Sequence, residues 1–179
     1  MQTMTSQEFT ALYDQYIEKI YNFIYYRTSH KETAEDLASK TFIKAWENIN
    51  QFNEQKGAFS SWLYSIARNN VIDHYRKEKQ TMDIDKILDI SSAENVEEST
   101  NAKVQLDKVK EYLKELPQEQ QDIVIMRVWD DLSYKEIAAI LQKSEASTKM
   151  SFYRTMDKIQ EKFPVAALIL LTIMSTTRN

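Results

Sequence analysis

The sequence predicts an all-α protein, built from two small helical domains that an acidic linker joins. A chain of 179 residues is long enough for one medium domain or two small ones, each with a modest core. A single glycine and two prolines are far too few for the turns of an all-β protein. Apolar residues recur instead at helical spacing along most of the chain.

The N-terminal part of the chain predicts three helices. In the first, over about residues 5–27, apolar and aromatic side chains recur every three or four positions. The second begins at SHKE, Ser29 to Glu32, which has the form of a capping box, and its apolar stripe continues to Ile49. The third covers about residues 60–79 and follows the turn NQFNEQKGAF. Together these elements predict a first domain over residues 1–80.

An acidic segment follows the first domain. Residues 62–80 carry four basic and two acidic side chains, a net charge of +2, whereas residues 81–98 carry six acidic side chains against Lys86, a net charge of −5. The acidic segment is weakly periodic, which predicts a linker over residues 81–100. In general, a charge run of this kind is a solvated spacer.

A second helical domain is predicted over residues 101–163. Its first helix, the fourth of the chain, carries an apolar stripe from Val104 to Leu116. Pro117 ends this helix, and the sequence PQEQQDIVIMRVW starts a fifth.

The stretch SYKEIAAILQKSEASTKMSFYRTMDKIQEKF has the pattern of a helix-turn-helix. Ser133 and Glu136 form a capping box for a short helix, QKS makes a tight connection, and Ser144 can cap a longer helix. In a helix-turn-helix, the first turns of the second helix enter the major groove of DNA. A helical hairpin that binds only protein is the alternative for this pattern. The residues that would face DNA are Ser147, Lys149, Met150, Tyr153 and Arg154.

The third helix, within GAFSSWLYSIARNNVIDHYRKEK, combines aromatic side chains with positive charge. Its aromatic side chains include Phe59 and Trp62, and its cations include Arg68. One side of the helix must nevertheless pack inward, along a stripe from Leu63 to His74. An aromatic side chain such as Trp62 is more often part of a core than a platform for bases.

Three stretches together resemble the extracytoplasmic-function group of bacterial sigma factors: AEDLASKTFIKAWENINQF, GAFSSWLYSIARNNVIDHYRK and LPQEQQDIVIMRVWDDLSYKEIAAIL. They occur in the family's order, and the resemblance covers about residues 8–160. It implies two all-helical domains, region 2 and region 4, which both bind core RNA polymerase. Region 2 would open the minus-ten promoter element, and region 4 would read the minus-thirty-five element. The acidic linker would pass through the nucleic-acid cleft of the polymerase, where its charge imitates RNA.

The resemblance also implies site residues. From AEDLASKTFIKAW it implies polymerase contacts by Asp36, Leu37, Phe42 and Trp46. Phe42 and Trp46 share a helix face, which could equally be the inside of the domain. For the minus-thirty-five element it implies the second helix of the helix-turn-helix. For the minus-ten element it implies the turn before the third helix and that helix, through Lys56, Phe59, Trp62, Arg68, Asn69, Arg76 and Lys77. Opening this element means holding bases unstacked, which aromatic stacking and cations at the backbone support.

The sequence departs from the family pattern at two places. Ser39 and Lys40 stand where the family usually has glutamine followed by an acidic residue, so the polarity at the expected polymerase contact is altered. Gln142 stands in the turn where glycine is common, and Met150 and Ser151 replace residues that often touch DNA. We therefore expect a promoter sequence unlike the common one, or weaker upstream binding.

Composition argues against several other classes of protein. The absence of cysteine and the presence of two histidines leave no disulfide, thiolate site or His/Cys metal spacing, and we find no phosphate loop. We expect no enzyme, no cofactor and no small-molecule substrate. The N-terminus lacks the features of an export signal, and the lack of cysteine fits a reducing cytoplasm. A free-standing helix-turn-helix regulator and a helical protein-interaction module are the alternatives to a sigma factor.

The resemblance does not explain residues 164–179, which begin with an apolar run. As a helix, residues 165–174 would span about 15 Å, well short of a hydrocarbon core of about 30 Å, so a transmembrane span is not expected. Packing on the second domain is the first expectation for this tail. An apolar contact for a partner such as an anti-sigma factor, or a loose membrane contact, is the second.

Overall fold

The computed structural model describes residues 4–82 and 102–176 of the chain. Every regular element in these two ranges is helical, which confirms the predicted all-α fold. The predicted linker falls almost entirely on residues 83–101, outside the described ranges. Two short 3₁₀ turns, Ile49–Gln51 and Glu54–Lys56, connect the second α-helix to the third. The α-helices are α1 Ser6–Thr28, α2 Lys31–Glu47, α3 Phe59–Met82, α4 Ala102–Glu115, α5 Gln118–Val128, α6 Tyr134–Leu141, α7 Glu145–Lys162 and α8 Pro164–Thr176.

The helix-turn-helix, α6 and α7, begins at the two caps that the sequence predicts. Ser133 Oγ accepts a hydrogen bond from the Glu136 amide, and the Glu136 carboxylate accepts one from the Ser133 amide. Ser144 Oγ accepts a hydrogen bond from the Ser147 amide, 3.1 Å away. The caps satisfy amide groups that the first turn of a helix leaves without partners.

The capping box predicted at SHKE is wrong. Ser29 ends α1 in the left-handed region, at φ 53°. His30 is the N-cap of α2, and its ring nitrogen Nδ1 accepts a hydrogen bond from the Thr33 amide, 3.3 Å away. The cap lies one residue later than the pattern indicates because the backbone of Ser29 is used to finish α1.

α1, α2 and α3 pack around a common apolar core. Phe23 and Tyr64 meet edge to face there, with their ring centroids 5.5 Å apart. The inward stripe predicted for α3 is confirmed for Leu63, Ala67 and Val71, which are all buried. Each large apolar side chain buried in this way contributes about 1.5–3 kcal/mol.

α4 to α8 form the C-terminal half. α5, α6 and α7 pack on one another, and α8 packs against α4, α5 and α7. α8 buries Ala166, Ala167 and Leu170, which confirms the first expectation for the apolar tail. Among the described helices, none is long and apolar enough to cross a membrane.

The N-terminal and C-terminal halves contact each other. α1 contacts α5, and α3 contacts α6. Trp129 lies against Tyr26, with the ring centroids 4.9 Å apart, and Ser60 Oγ lies 3.4 Å from Glu136 Oε1. The C-terminal half therefore covers part of α1 and α3.

Candidate nucleic-acid interface

The outward side of α7 carries all five residues that the helix-turn-helix pattern predicts to face DNA. Met150 and Tyr153 are 53% and 50% exposed, although both are large and apolar. Their neighbours on this side include two cations and a hydroxyl, which suit phosphate oxygens and base edges. The five exposed residues are Ser147, Lys149, Met150, Tyr153 and Arg154.

Packing behind α7 fixes the direction of this outward side. Phe152 is buried and meets Tyr134 of α6 edge to face, with the ring centroids 5.7 Å apart. The Arg127 guanidinium of α5 lies over the Tyr134 ring, 5.2 Å from its centroid, and donates to the Leu132 carbonyl at 3.0 Å. Because these contacts link α5, α6 and α7, the outward side is presented on a rigid support.

The aromatic residues of the predicted minus-ten surface are partly internal. Phe59 is buried, and its ring lies 5.4 Å from Phe52 and 5.7 Å from Trp62 between centroids. Phe52 and Trp62 are half-buried, so accessible aromatic surface lies beside the turn that precedes α3. The buried ring of Phe59 thus packs against the inner side of this aromatic surface.

The polar residues of the predicted minus-ten surface lie further along α3. Asn69, Arg76 and Lys77 are exposed. Arg76 Nη2 lies 3.0 Å from the Asp73 carboxylate, in an exposed pair of a kind that contributes at most about 1 kcal/mol. Arg76 can therefore exchange this partner for a phosphate at little cost. Lys56 ends the second 3₁₀ turn, and its side chain lies outside the described part of the structure.

Asn70 has a structural role, in contrast to Asn69. Its Oδ1 accepts a hydrogen bond from Lys44 Nζ at 2.6 Å, and its Nδ2 donates to Thr41 Oγ1 at 3.0 Å. The Asn70 amide is buried and ties α3 to α2. Its hydrogen bonds satisfy polar atoms that would otherwise be costly to bury.

The predicted polymerase contacts on α2 are divided between core and surface. Leu37 and Phe42 are buried in the core of the N-terminal half. Asp36 is exposed, and Trp46 is 41% exposed with its ring 4.9 Å from that of Phe9. In this structure Leu37 and Phe42 hold α2 in place, whereas Asp36 and Trp46 are accessible to a partner.

Ile43 is a surface residue of α2 that the sequence stripe does not identify. Its side chain is 57% exposed, and Asp36 and Lys40 are exposed at helical spacing before it. The sequence could have predicted this exposure from helical spacing, because Ile43 falls outside the inward stripe of the helix. A large apolar side chain among exposed polar ones is suited to a protein contact.

Arg68, a predicted minus-ten residue, is bound to the C-terminal half. Its Nε donates to Asp122 Oδ2 at 2.8 Å, and Arg27 Nε lies 3.1 Å from Asp122 Oδ1. The side-chain carbonyl of Gln121 accepts a hydrogen bond from Arg27 Nη1. Burial raises the pKa of the Asp122 carboxyl, and the two guanidiniums oppose the rise. In the sequence, this ion-pair site is indicated by a single acidic residue, Asp122, at the start of the largely apolar run DIVIMRV.

A second buried carboxyl, that of Asp130, lies beside the Tyr64 hydroxyl, although the two groups lack the geometry of a hydrogen bond. Burial raises the pKa of Asp130 to about 8, and the nearby Tyr64 and Lys19 oppose the rise. Asp130 is therefore mostly protonated, and uncharged, at neutral pH.

Two family models match the chain. The model of Sigma-70 region 2 matches residues 12–81, and that of Sigma-70 region 4 matches residues 106–159. The ECF RNA polymerase sigma factor SigM of Bacillus subtilis is 31% identical over 150 residues, which cover 83% of this chain and 91% of SigM. The chain belongs to the extracytoplasmic-function (ECF) sigma factors. It is an alternative sigma factor, which directs transcription initiation.

Another relative agrees with this assignment, and a solved structure shares the fold. The ECF sigma factor BldN of Streptomyces coelicolor is 36% identical over 163 residues, 87% of this chain, and the chain spans 60% of BldN's length. The sigma factor RpoE of Bartonella quintana, crystallised with the anti-sigma factor NepR, is similar with a TM-score of 0.71 at 23% identity. That similarity covers 87% of this chain and 96% of the RpoE chain, so this ECF sigma factor shares its fold.

Proposed function

We propose that this ECF sigma factor, bound to core RNA polymerase, reads the minus-thirty-five element through α7 and opens the minus-ten element through α3. The observation that carries the proposal is the outward side of α7, where the five predicted residues lie together on a packed support. Lys149 and Arg154 neutralise phosphates in this proposal, and Arg154 can also donate two hydrogen bonds to a guanine edge.

The net charge of the protein explains why it needs the polymerase. The chain has a net charge of −4, whereas affinity for DNA comes largely from cations that neutralise phosphates and release counterions. The cations of α7 attract DNA locally, and the polymerase supplies the remaining hold on the duplex. Promoter recognition is therefore a property of the holoenzyme, and the proposed place of action is the cytoplasm.

At the minus-ten element we propose different roles for the surface residues of α3. The accessible part of Trp62 stacks on an unpaired base, since stacking contributes about 1–3 kcal/mol per base. Asn69 contacts a base edge because its amide can both donate and accept hydrogen bonds. Arg76 and Lys77 contact the backbone of the strand, with Lys56 placed in the turn before the helix.

On α2 we propose a polymerase contact through the exposed residues. Asp36 and Trp46 belong to the family motif, and Ile43 adds an apolar side chain to the same helix. Leu37 and Phe42 contribute by fixing the helix on the core of region 2. Polar groups around apolar side chains are typical of protein interfaces.

Transcription in vitro tests the proposed function. The purified chain and core polymerase should initiate at defined positions on genomic DNA fragments, where core polymerase alone does not. On a promoter found in this way, Lys149→Ala combined with Arg154→Ala should lower initiation about 10- to 100-fold, since good base contacts contribute about 1–3 kcal/mol. Binding to core polymerase should be unchanged, and an equal loss of polymerase binding would contradict the division of roles.

The matched control combines Lys31→Ala with Lys114→Ala. It removes two exposed cations that pair with Glu35 and Glu111, away from the outward side of α7. This variant should initiate like the unaltered protein. Tight promoter binding by the chain without polymerase would instead favour a free-standing regulator.

We also propose an anti-sigma protein as a partner, with the outer side of α8 as its contact. Val165, Leu168 and Leu171 are exposed and apolar, while the opposite side of α8 packs on region 4. Leu168→Ser combined with Leu171→Ser should leave initiation intact and release such a protein. The supporting result is a protein that binds the unaltered chain and not this variant, and that inhibits transcription when purified. Inhibition of both forms to the same extent would place the contact elsewhere.

A further inference from the structure

Met150 lies at the centre of the outward side of α7. Thr148, Phe152 and Ile159 are buried and define the inward side of the helix. At about 3.6 residues per turn, position 150 lies nearly opposite this buried row, and the exposed Ala146 lies one turn earlier on the same side. The first turns of α7 therefore present apolar side chains directly outward, with polar side chains to either side of them.

The residues beside Met150 leave this central position to it. The Tyr153 ring lies 5.8 Å from the Phe152 ring and 6.4 Å from the Tyr134 ring, between centroids, so Tyr153 leans toward the start of α6. Arg154 lies on the other side of Met150, one turn along the helix, and both line a groove between α7 and the start of α5. Met150 is thus the large apolar side chain that reaches outward beside Arg154.

The chemistry of the major groove limits what such a side chain can recognise. Base edges there present hydrogen-bond donors and acceptors, and among the four bases only thymine adds a methyl group, at C5. The thioether of Met150 is at best a weak acceptor, so against a polar base edge it would displace water without replacing the lost hydrogen bonds. Against a methyl group it buries apolar surface instead, and its unbranched chain can adapt to the position of that group.

We propose that Met150 determines part of the promoter specificity of this ECF sigma factor by contacting the C5 methyl group of a thymine in the minus-thirty-five element. The inference rests on the proposed function, in which α7 reads that element. Arg154 donates to a guanine edge or a phosphate nearby, and Met150 adds a preference for thymine at one base pair. The other base pairs of the element are left to the polar side chains of α7.

Selection from a promoter library tests this preference. The minus-thirty-five element of a promoter found by transcription in vitro is randomised, and each template carries a barcode in its transcribed part. With holoenzyme that contains the unaltered chain, thymine should be favoured at one base pair, on either strand, at least about fivefold over cytosine. Met150→Ala should lose the preference at that base pair alone. No thymine preference in the unaltered chain, or an equal preference in Met150→Ala, would overturn the proposal.

Removal of a single methyl group tests the contact itself. In the selected promoter, each thymine of the minus-thirty-five element is replaced in turn by deoxyuridine, which lacks only the C5 methyl group. One replacement should lower initiation by the unaltered chain about fourfold, the effect of one buried methyl group. Met150→Ala should initiate less well on the thymine promoter and should no longer respond to that replacement. The same response in both proteins would assign the methyl contact to another residue and overturn the proposal.

Two control variants lie on the same helix. Lys149 contacts a phosphate in the proposed function, so Lys149→Ala should lower initiation from all library members to a similar extent and keep the thymine preference. Gln160 is exposed later in α7, and Gln160→Ala should match the unaltered protein in initiation and in preference. Loss of the thymine preference in Lys149→Ala as well would overturn the specific role of Met150.

Failure of the proposed function gives a different result from failure of this inference. If α7 does not read the minus-thirty-five element, the unaltered chain shows no preference at any base pair of the library, and Lys149→Ala combined with Arg154→Ala initiates like the unaltered protein. If the inference alone is wrong, the unaltered chain keeps its preferences in the element and Met150→Ala changes none of them.

Discussion

The residues of α3 and of α7 that are predicted to contact DNA are of similar types but differ in what surrounds them. On α7, Lys149 and Arg154 face solvent, and the packing that holds the helix lies entirely behind them. On α3, Phe59 is internal and Arg68 is paired with Asp122 of the other region. Residue type therefore indicates the chemistry of a DNA contact, whereas its availability depends on the rest of the fold.

This difference has a physical consequence for the attraction of DNA. Exposed cations on α7 act on DNA at a distance of about one Debye length, about 8–10 Å at cellular salt. Arg68 attracts DNA only weakly while the Asp122 carboxylate lies 2.8 Å from it, because the two opposite charges largely cancel. Region 4 therefore presents its cations to DNA directly, whereas Arg68 of region 2 is engaged within the chain.

The largest expected effect is on the free energy of unfolding, and it distinguishes the buried side of α7 from its exposed side. Phe152→Ala removes a buried ring and should lower the free energy of unfolding by about 3–5 kcal/mol. Tyr153→Ala, one position later and half-exposed, should lower it by about 0.5 kcal/mol or less while it weakens initiation. Urea unfolding followed by circular dichroism measures both. Equal destabilisation by the two variants would show that Tyr153 belongs to the packing rather than to the free surface.

The free energy of unfolding should depend on pH through the buried carboxyl of Asp130. Burial raises its pKa from 3.8 to about 8 in the folded protein. Between these values the folded form keeps a proton that the unfolded form has lost, so the free energy of unfolding falls as pH rises from about 4 to about 8. From pH 6 to pH 8 the expected loss from this group is about 2 kcal/mol.

Urea unfolding at pH 6 and pH 8 measures this loss, with Asp130→Asn as the comparison. The other titratable groups that face Asp130 are Tyr64, Lys19 and Tyr26. Burial raises the pKa of both tyrosines, so they remain protonated over this range. The variant should therefore show a smaller dependence on pH. The same dependence in both proteins would exclude Asp130 as its source.

A smaller effect on stability should distinguish two adjacent side-chain amides of α3, one buried and one exposed. Asn70→Ala removes the hydrogen bonds that its amide makes with Thr41 Oγ1 and Lys44 Nζ, and should lower the free energy of unfolding by about 1.5 kcal/mol. Asn69→Ala removes an exposed amide and should leave stability unchanged while it weakens binding of the holoenzyme to minus-ten single-stranded DNA. If instead Asn70→Ala weakens DNA binding and leaves stability intact, the assignment of the two roles is reversed.

Local pattern predicts much of the fold because helices and their caps depend on neighbouring residues. The third helix, expected over about residues 60–79, runs from Phe59 to Met82, and the caps Ser133 and Ser144 are confirmed. The exception, Ser29, fails because two helices compete for one residue, and the end of α1 uses it.

Contacts between distant parts of the chain are not accessible to the same reasoning. Asp122 pairs with Arg68 across 54 positions, and neither residue has a local pattern that indicates the other. Leu37 and Phe42 show a second limit of prediction from local pattern. Helical spacing shows that residues lie on one face of a helix, but not whether that face packs in the core or contacts a partner. The packing of α1 and α3 on α2 places them inside.

The smallest expected effect concerns the turn of the helix-turn-helix, where Gln142 replaces the family's usual glycine. Gln142 has φ 56°, a left-handed conformation that costs a residue with a Cβ about 1–2 kcal/mol. Gln142→Gly relieves this cost but adds freedom to the unfolded chain, so it should raise the free energy of unfolding by about 0.5 kcal/mol. Urea unfolding measures the gain, and Ser29→Gly, at φ 53° in region 2, is the matched control.

Promoter selectivity in the same Gln142→Gly variant shows what directs α7. The contacts of Phe152 with Tyr134, and of Arg127 with Tyr134 and Leu132, hold α7 on α6 and α5 independently of the turn. Selectivity measured by transcription from a set of promoter variants should therefore stay the same as stability rises. A changed selectivity would mean that the strained turn, rather than the packing behind it, sets the angle at which α7 meets DNA.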